Sequence, residues 1–223
     1  NSTFLIEHEE YGSSPDMALA VDAAKTLWTG LLNEEGGSSD WLLFERGYEY
    51  DDLSHSILIN NANGESELNP LYVGAYGEGD RPVINSVLVS FKSGSDNVVI
   101  QDLHFTGGAL LYAGNNLLFE NVEFTKKDMI VQGIGTTMSG ITLRNSSIYD
   151  VHLEEPNDGR EDWAAIPDRI AGIYVSSTKD ALIENTFFDH AGWVDGYETN
   201  GEQPPSMASH NIYIQTNNNG INL

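Results

Sequence analysis

Apolar residues along most of this chain alternate with polar ones in short runs. Val98 and Ile100, then Leu103 and Phe105, keep the two-residue period of a strand with one buried face. The same phrase returns at Leu118–Phe124, Thr142–Ile148 and Leu182–Phe188, with Val99–Phe105 as a fourth copy. Each copy is a strand, one small polar residue (Asn121, Asn145, Asn185 or Asp102) and a second strand. Asn121 to Asn145 spans 24 residues and Asn145 to Asn185 spans 40. Matched rungs with unequal insertions are the mark of a solenoid, and parallel strands stacked coil on coil follow. The polar residue falls where the alternation resets, so it belongs in a tight corner, where Asn tolerates left-handed backbone geometry. Asn121, Asn145 and Asn185 are expected there as an internal amide ladder on a common line. The competing expectation is that they mark ordinary surface turns.

The N-terminal region follows a different period. Ser14-Pro15-Asp16 has the make-up of a helix start, and Ala20, Val21, Ala24, Leu27, Trp28, Leu31 and Leu32 follow helical spacing up to Gly36-Gly37. Residues 1–37 therefore read as a capping segment whose amphipathic helix covers the first rung, and residues 38–223 as the parallel β-helix. Trp41–Phe44 reads as a buried strand followed by a Glu45-Arg46-Gly47 turn. Strands near 110–113, 129–132, 172–175 and 211–215 begin successive rungs.

Charge narrows the partners. Ten Lys and Arg stand against 34 Asp and Glu among 223 residues, a net charge of −24. Nucleic acid and anionic membranes are disfavoured by repulsion, and divalent cations, with Ca2+ the candidate cofactor, are favoured by carboxylate clusters such as Glu154, Glu155, Asp158 and Asp162. The chain has no cysteine and no apolar run of membrane-spanning length.

The strand Leu42-Leu43-Phe44-Glu45-Arg46-Gly47, the run Asn69–Ile84 (NPLYVGAYGEGDRPVI) and the Asn-punctuated coils together resemble secreted bacterial right-handed parallel β-helix proteins. That group includes polysaccharide lyases, epimerase-type modules and phage depolymerase spikes. The resemblance covers roughly residues 16–223. It implies an all-β, right-handed parallel β-helix solenoid, an extracellular location, bacterial or phage origin and a polysaccharide partner. The matched residues are structural, and neither a pectate-lyase-type Arg motif nor the epimerases' Tyr-Gly-x-Asp-Pro-His motif is present.

Chemistry concentrates in the two longest connections, Tyr149–Ala171 and Asp189–Ser209, which leave the same corner on consecutive rungs. The first carries Asp150, His152, Arg160, Trp163 and Arg169; the second carries Asp189, His190, Trp193, Asp195 and Tyr197, with His210 just after it. Aligning Ile148 with Phe188 puts Asp150 in register with His190. Tyr174, Tyr213 and Gln215 are expected outward on adjacent rungs, with Tyr112 and Gln132 joining them. Cleavage of a uronate glycan by β-elimination needs a group that neutralises the carboxylate, a base for the C5 proton and an acid for the leaving oxygen. Arg169, Arg160 or Ca2+ suit the first role, His190 or His210 the second, and Tyr213 or Tyr197 the third. Trp163, Trp193, Tyr174, Tyr197, Arg160 and Gln215 are the substrate-binding candidates, and Asp150, Asp189 and Asp195 the metal ligands. The hydrolase alternative needs two carboxylates, and the same three aspartates are available for them. A third possibility is a non-catalytic adhesin, spike or assembly module. His8, His55 and His104 belong to no constellation, and the Asn145-Ser146-Ser147 acceptor is expected to be inaccessible. The final segment, Asn219–Leu223, stops before its Asn position, so further polypeptide or a second subunit is expected to complete that end.

Overall fold

The computed structural model describes residues 3–6, 37–50, 56–58, 63–90, 95–152, 170–192, 210–215 and 217–223. Strand β1 (Thr3–Ile6) pairs in parallel with the first coil, which comprises β2 (Trp41–Glu45), β3 (Glu49–Tyr50) and β4 (Ser56–Leu58). The second coil comprises β5 (Leu71–Tyr76), β6 (Val83–Ile84) and β7 (Val87–Ser90), and the third β8 (Asp96–Gln101), β9 (His104–Phe105) and β10 (Ala109–Leu111). The fourth comprises β11 (Asn115–Glu120), β12 (Glu123–Thr125) and β13 (Met129–Gln132), and the fifth β14 (Met138–Arg144), β15 (Ser147–Tyr149) and β16 (Ala171–Ser176). The sixth comprises β17 (Thr178–Lys179), β18 (Leu182–Glu184), β19 (Phe187–Asp189) and β20 (His210–Ile214).

Every third strand lies beside its predecessor. The first sheet runs β1-β2-β5-β8-β11-β14 with β17 and β18 on β14; the second runs β4-β7-β10-β13-β16-β20, and the third β3-β6-β9-β12-β15-β19. All inter-strand pairings are parallel, and among the described residues there is no helix. The protein is thus an all-β parallel solenoid with three faces. The helix expected between residues 14 and 36 lies outside the described residues.

Inward columns make the core. Leu42, Val73, Ile100, Phe119, Leu143 and Ile183 share one register line on the first sheet, and all are buried. On the third sheet Tyr50, Ile84, Phe105, Phe124 and Ile148 do the same, with Phe105 and Phe124 stacked at 5.3 Å. Coils sit about 4.8 Å apart, so identical positions pack like on like. Trp41, expected inside, points outward and is 43% exposed, because the alternation that buries Leu42 and Phe44 turns its side chain to the other face.

The corners fold by a second periodicity. Between the first and third sheets Asp102, Asn121, Asn145 and Asn185 are all left-handed, with φ between 45° and 60°. Five residues before each stands another left-handed residue at the entry to the first sheet: Asn97, Asn116, Gly140 and Asp180. Gly220 continues that column, and the bridges Lys179 to Asn219 and Leu182 to Asn222 start a seventh coil. The five-residue step never changes, whereas successive coils measured along this column are 19, 24, 40 and 40 residues long. All the length variation therefore falls at the other two corners.

The asparagines occupy equivalent corners, as expected, but not the interior. Asn121 is half-buried, and Asn145 and Asn185 are exposed. A left-handed residue places two consecutive side chains outward, here Glu120 and Asn121, and the next residue, Val122, Ser146 or Thr186, takes the inward position. Ser146 Oγ, not an amide, accepts from the Val122 backbone N–H at 3.1 Å inside. The ladder runs along the surface instead: Asn185 Nδ2 donates to Asn145 Oδ1 at 2.6 Å, and Asn145 Nδ2 to Glu120 Oε1 at 2.6 Å. The Asn145 acceptor sequence is accordingly on the surface, with its amide bonded on both sides.

Candidate functional site

Tyr174, Tyr213 and Gln215 lie on the outer face of the second sheet, and His210, in register with the buried Ala171 at the start of β20, joins them through a ring contact. Ile130, Tyr174 and Tyr213 share one outward register line. Extended strands one coil apart place the two tyrosines side by side, and their rings stack at 5.6 Å and 29°. His210 opens β20, and its imidazole lies nearly parallel to the Tyr213 ring at 5.3 Å and 11°. The Tyr174 hydroxyl donates to Gln215 Oε1. His210 and Gln215 are exposed and both tyrosines half-buried. Three flat rings in one row make an amphipathic platform with polar edges. Tyr112 and Gln132 do not extend the tyrosine line: register puts them with Ser176 and Gln215, two residues along each strand.

His190 is placed differently. Register aligns Tyr149 with Asp189, so Asp150 and His190 are equivalent, as expected, and Lys126 joins them one coil earlier. All three are left-handed, at φ 67°, 53° and 49°. Lys126 N–H donates to the Asp150 carbonyl and Asp150 N–H to the Asp189 carbonyl, both at 3.2 Å. His190 therefore holds a corner. Its N–H donates to Asp189 Oδ1 at 2.9 Å, and its Nδ1 lies 3.0 Å from Asp189 Oδ2. This corner abuts the second sheet, since Ala191 and Phe188 crowd the surface over Gly172, a position where a Cβ would lie 2.7 Å from the Asn211 carbonyl oxygen. Among the described residues no hydrogen bond or ring contact joins His190 to His210 or Tyr213.

Arg160, Trp163, Arg169, Trp193, Asp195 and Tyr197, with the carboxylates Glu154, Glu155, Asp158 and Asp162, lie outside the described residues. Asp150 is exposed beside the Asp189–His190 pair. Among the described residues no group of three His, Cys, Asp or Glu is arranged to hold a metal.

A second polar constellation, around His104, escapes the sequence reading. Register pairs His104 with Glu123 on the outer face of the third sheet. Its Nε2 is 2.7 Å from Thr125 Oγ1 and its Nδ1 is 3.8 Å from Glu123. Arg81 reaches Glu123 at 2.5 Å and donates its other terminal nitrogen to Asn121 Oδ1. Asn121 Nδ2 donates to Asp102 Oδ1, which Arg46 grips through Oδ2 at 2.8 Å. Burial lowers the His104 pKa below the usual imidazole range, against the pull of Glu123. Burial also raises the Tyr149 hydroxyl, helped by Glu123 and Asp150. The signal was present: the repeat alignment itself sets His104 opposite Glu123. Both imidazole nitrogens are turned toward protein groups, so this constellation ties corners together rather than presenting a base.

Set beside known proteins, the chain matches no family model, no curated protein and no solved structure. Its function must be argued from these side chains.

Proposed function

We propose that the protein is a secreted right-handed β-helix protein, of bacterial or phage origin, that acts on a polysaccharide. Within that class, the reading is a lyase cleaving an acidic, uronate-containing glycan by β-elimination. The observation that carries it is the row His210, Tyr213 and Tyr174 with Gln215 at its edge. The rings of this row stack on one another, so a sugar ring would meet the outer face and edges of the stack, while the hydroxyl and amide groups suit its hydroxyls.

In the chemistry, His210 takes the C5 proton and Tyr213, stacked against it, protonates the leaving oxygen. Neutralising the uronate carboxylate would fall to Arg169, or to the positive charge of a Ca2+ that Asp150, Asp189 and Asp195 would hold. A cation is physically apt here, because a chain of net charge −24 repels an acidic glycan unless positive charge lies between them. The amphipathic spacing of residues 20–32 is proposed as the cap of the first coil.

The second reading, a non-catalytic glycan-binding module, is favoured by the pairing of His190 with Asp189 at a left-handed corner, which gives that imidazole a structural task. One experiment separates the readings. The protein is incubated with alginate, pectin and neutral glycans, and unsaturated ends and new reducing ends are followed. A lyase yields unsaturated ends, and His210→Ala lowers their formation by about 10²-fold with the melting temperature unchanged. Glycan binding lost in Tyr213→Ala without any product supports the module. New reducing ends without unsaturation point to hydrolysis by the Asp150, Asp189 and Asp195 set. No binding and no product on any glycan overturns the proposal.

A further inference from the structure

The outer face of the first sheet carries a second line of side chains that no role above uses. Trp41, Tyr72, Val99, Leu118, Thr142 and Leu182 follow one another in strict register over six coils, all pointing outward. The Trp41 and Tyr72 rings meet at 4.5 Å. The Tyr72 ring then lies over Gly74, where a Cβ would come within 2.7 Å of it. Val99, Leu118, Thr142 and Leu182, on four successive coils, floor a groove of about 380 Å3. On a solvated sheet face this line would ordinarily be polar; here, apart from Thr142, it is apolar, with Trp41 exposed and Val99, Leu118, Thr142 and Leu182 half-buried.

The groove's walls say what fits. On one side Asn116 Nδ2 is shared between Asn97 Oδ1 and Glu67 Oε1, each at 3.1 Å. On the other, Arg144 is held by Glu120 and is flanked in register by Glu184 on the next coil. Amides and carboxylates therefore border a mostly apolar floor, and the Trp41–Tyr72 pair stands outside the groove on the same register line. The one guanidinium on the walls is already matched by Glu120, so the surround is net negative. Such walls repel a uronate chain, nucleic acid and an anionic membrane, and in a second copy of this chain they would meet equally acidic walls. A neutral sugar chain meets no such penalty. Its apolar ring faces suit the floor, and its hydroxyls can donate to Glu67, Glu120 and Glu184 and to Asn116 Oδ1, the Asn116 amide hydrogens being already taken by Asn97 and Glu67.

We infer that the first-sheet groove is a second carbohydrate site, separate from the His210–Tyr213–Tyr174 row, and that it takes a linear neutral oligosaccharide lying parallel to the solenoid axis. The inference rests on the reading of the protein as polysaccharide-acting but uses none of that site's residues. Two glycan sites of opposite charge preference on two faces would let one molecule hold a neutral strand while addressing an acidic one.

The test is calorimetric titration of the whole chain with cellohexaose, mannohexaose and an oligogalacturonate, using wild type, Thr142→Arg, Leu118→Asp and Tyr213→Ala. Melting temperatures establish that each variant is folded, and Thr142→Arg, at a half-exposed position, serves if Leu118→Asp is not. The expected result is that a neutral hexasaccharide binds wild type and Tyr213→Ala alike and binds a folded groove variant at least about tenfold more weakly. Binding of neither neutral sugar, or equal binding by the groove variants, overturns the inference. So does a self-association seen in sedimentation that Thr142→Arg abolishes, which would make the groove an interface between copies. Loss of oligogalacturonate binding in Tyr213→Ala belongs to the second-sheet site alone, so the two readings stand or fall separately.

Discussion

Asn185 Nδ2 and Asn145 Oδ1 are joined at 2.6 Å across one coil, on the outside of the solenoid. Both residues are left-handed, at φ 45° and 51°, so each does two things: it turns the chain and it bonds the coil below.

Of the two, the turn dominates. A bulky side chain in left-handed geometry costs roughly 1–2 kcal/mol, whereas an exposed amide bond competes with water. Asn145→Leu is expected to destabilise by about 1–2 kcal/mol, and Asn145→Gly to recover most of that loss. Urea unfolding measures both. A glycine variant as unstable as the leucine one would shift the weight to the amide ladder.

His190 has the same backbone geometry, at φ 49°. His190→Gly should therefore keep the melting temperature better than His190→Ala, which retains the strain and loses the Asp189 contact. If this imidazole also acts on the glycan, turnover falls in both variants alike. Comparing melting curves with initial rates separates the two roles. A glycine variant that melts lower than the alanine one would contradict the corner assignment.

His104 has a pKa lowered chiefly by burial. The unfolded chain, with its imidazole near the ordinary value of about 6.5, then takes up a proton before the folded chain does. Stability is fully present above that value and declines as pH falls through it toward the lower folded pKa. Melting temperature should drop between pH 7 and 5, and His104→Gln should drop less. A constant difference between the two proteins across that range would mean that His104 titrates normally.

Arg81 binds Glu123 and Asn121 through two terminal nitrogens. A lysine has a single ammonium in place of that fork, so Arg81→Lys should cost about 1 kcal/mol, a figure already reduced for partial solvent access. Denaturant midpoints check this, and an unchanged midpoint would make the bridge decorative.

The coil repeat was legible because burial on one face imposes a two-residue period, and the register of Ile148 with Phe188 follows from it directly. Which way Asn145 faces was not legible. A corner residue belongs to neither strand's alternation, and only its left-handed φ decides that Glu120 and Asn121 both point outward while Val122 points in. Asn97, Asn116, Gly140 and Asp180 were equally visible in the sequence, five residues before each corner. They were hidden by their variety, since what they share is tolerance of left-handed geometry rather than a side chain. Trp41 reads as core from its apolar neighbours, and Tyr72 and Leu118 look like ordinary strand residues until register sets all three on one outer line. The His210–Tyr213 stack was half legible: strand period placed Tyr213 outward, but the ring contact depends on where β20 begins.

The fixed five-residue step has a consequence for how this molecule tolerates change. One residue added between Asn116 and Asn121 would shift the strand by a single place and turn Leu117 and Phe119 from the interior to the solvent. Residues added between the buried Val151 and β16 shift no paired strand, and coils of 24 and 40 residues already stack on one another without loss of register. The solenoid thus has one edge where its length is locked and an opposite edge open to grafting. New sequence accepted at that open edge would alter what the second sheet's aromatic row can grasp while every buried column kept its neighbours.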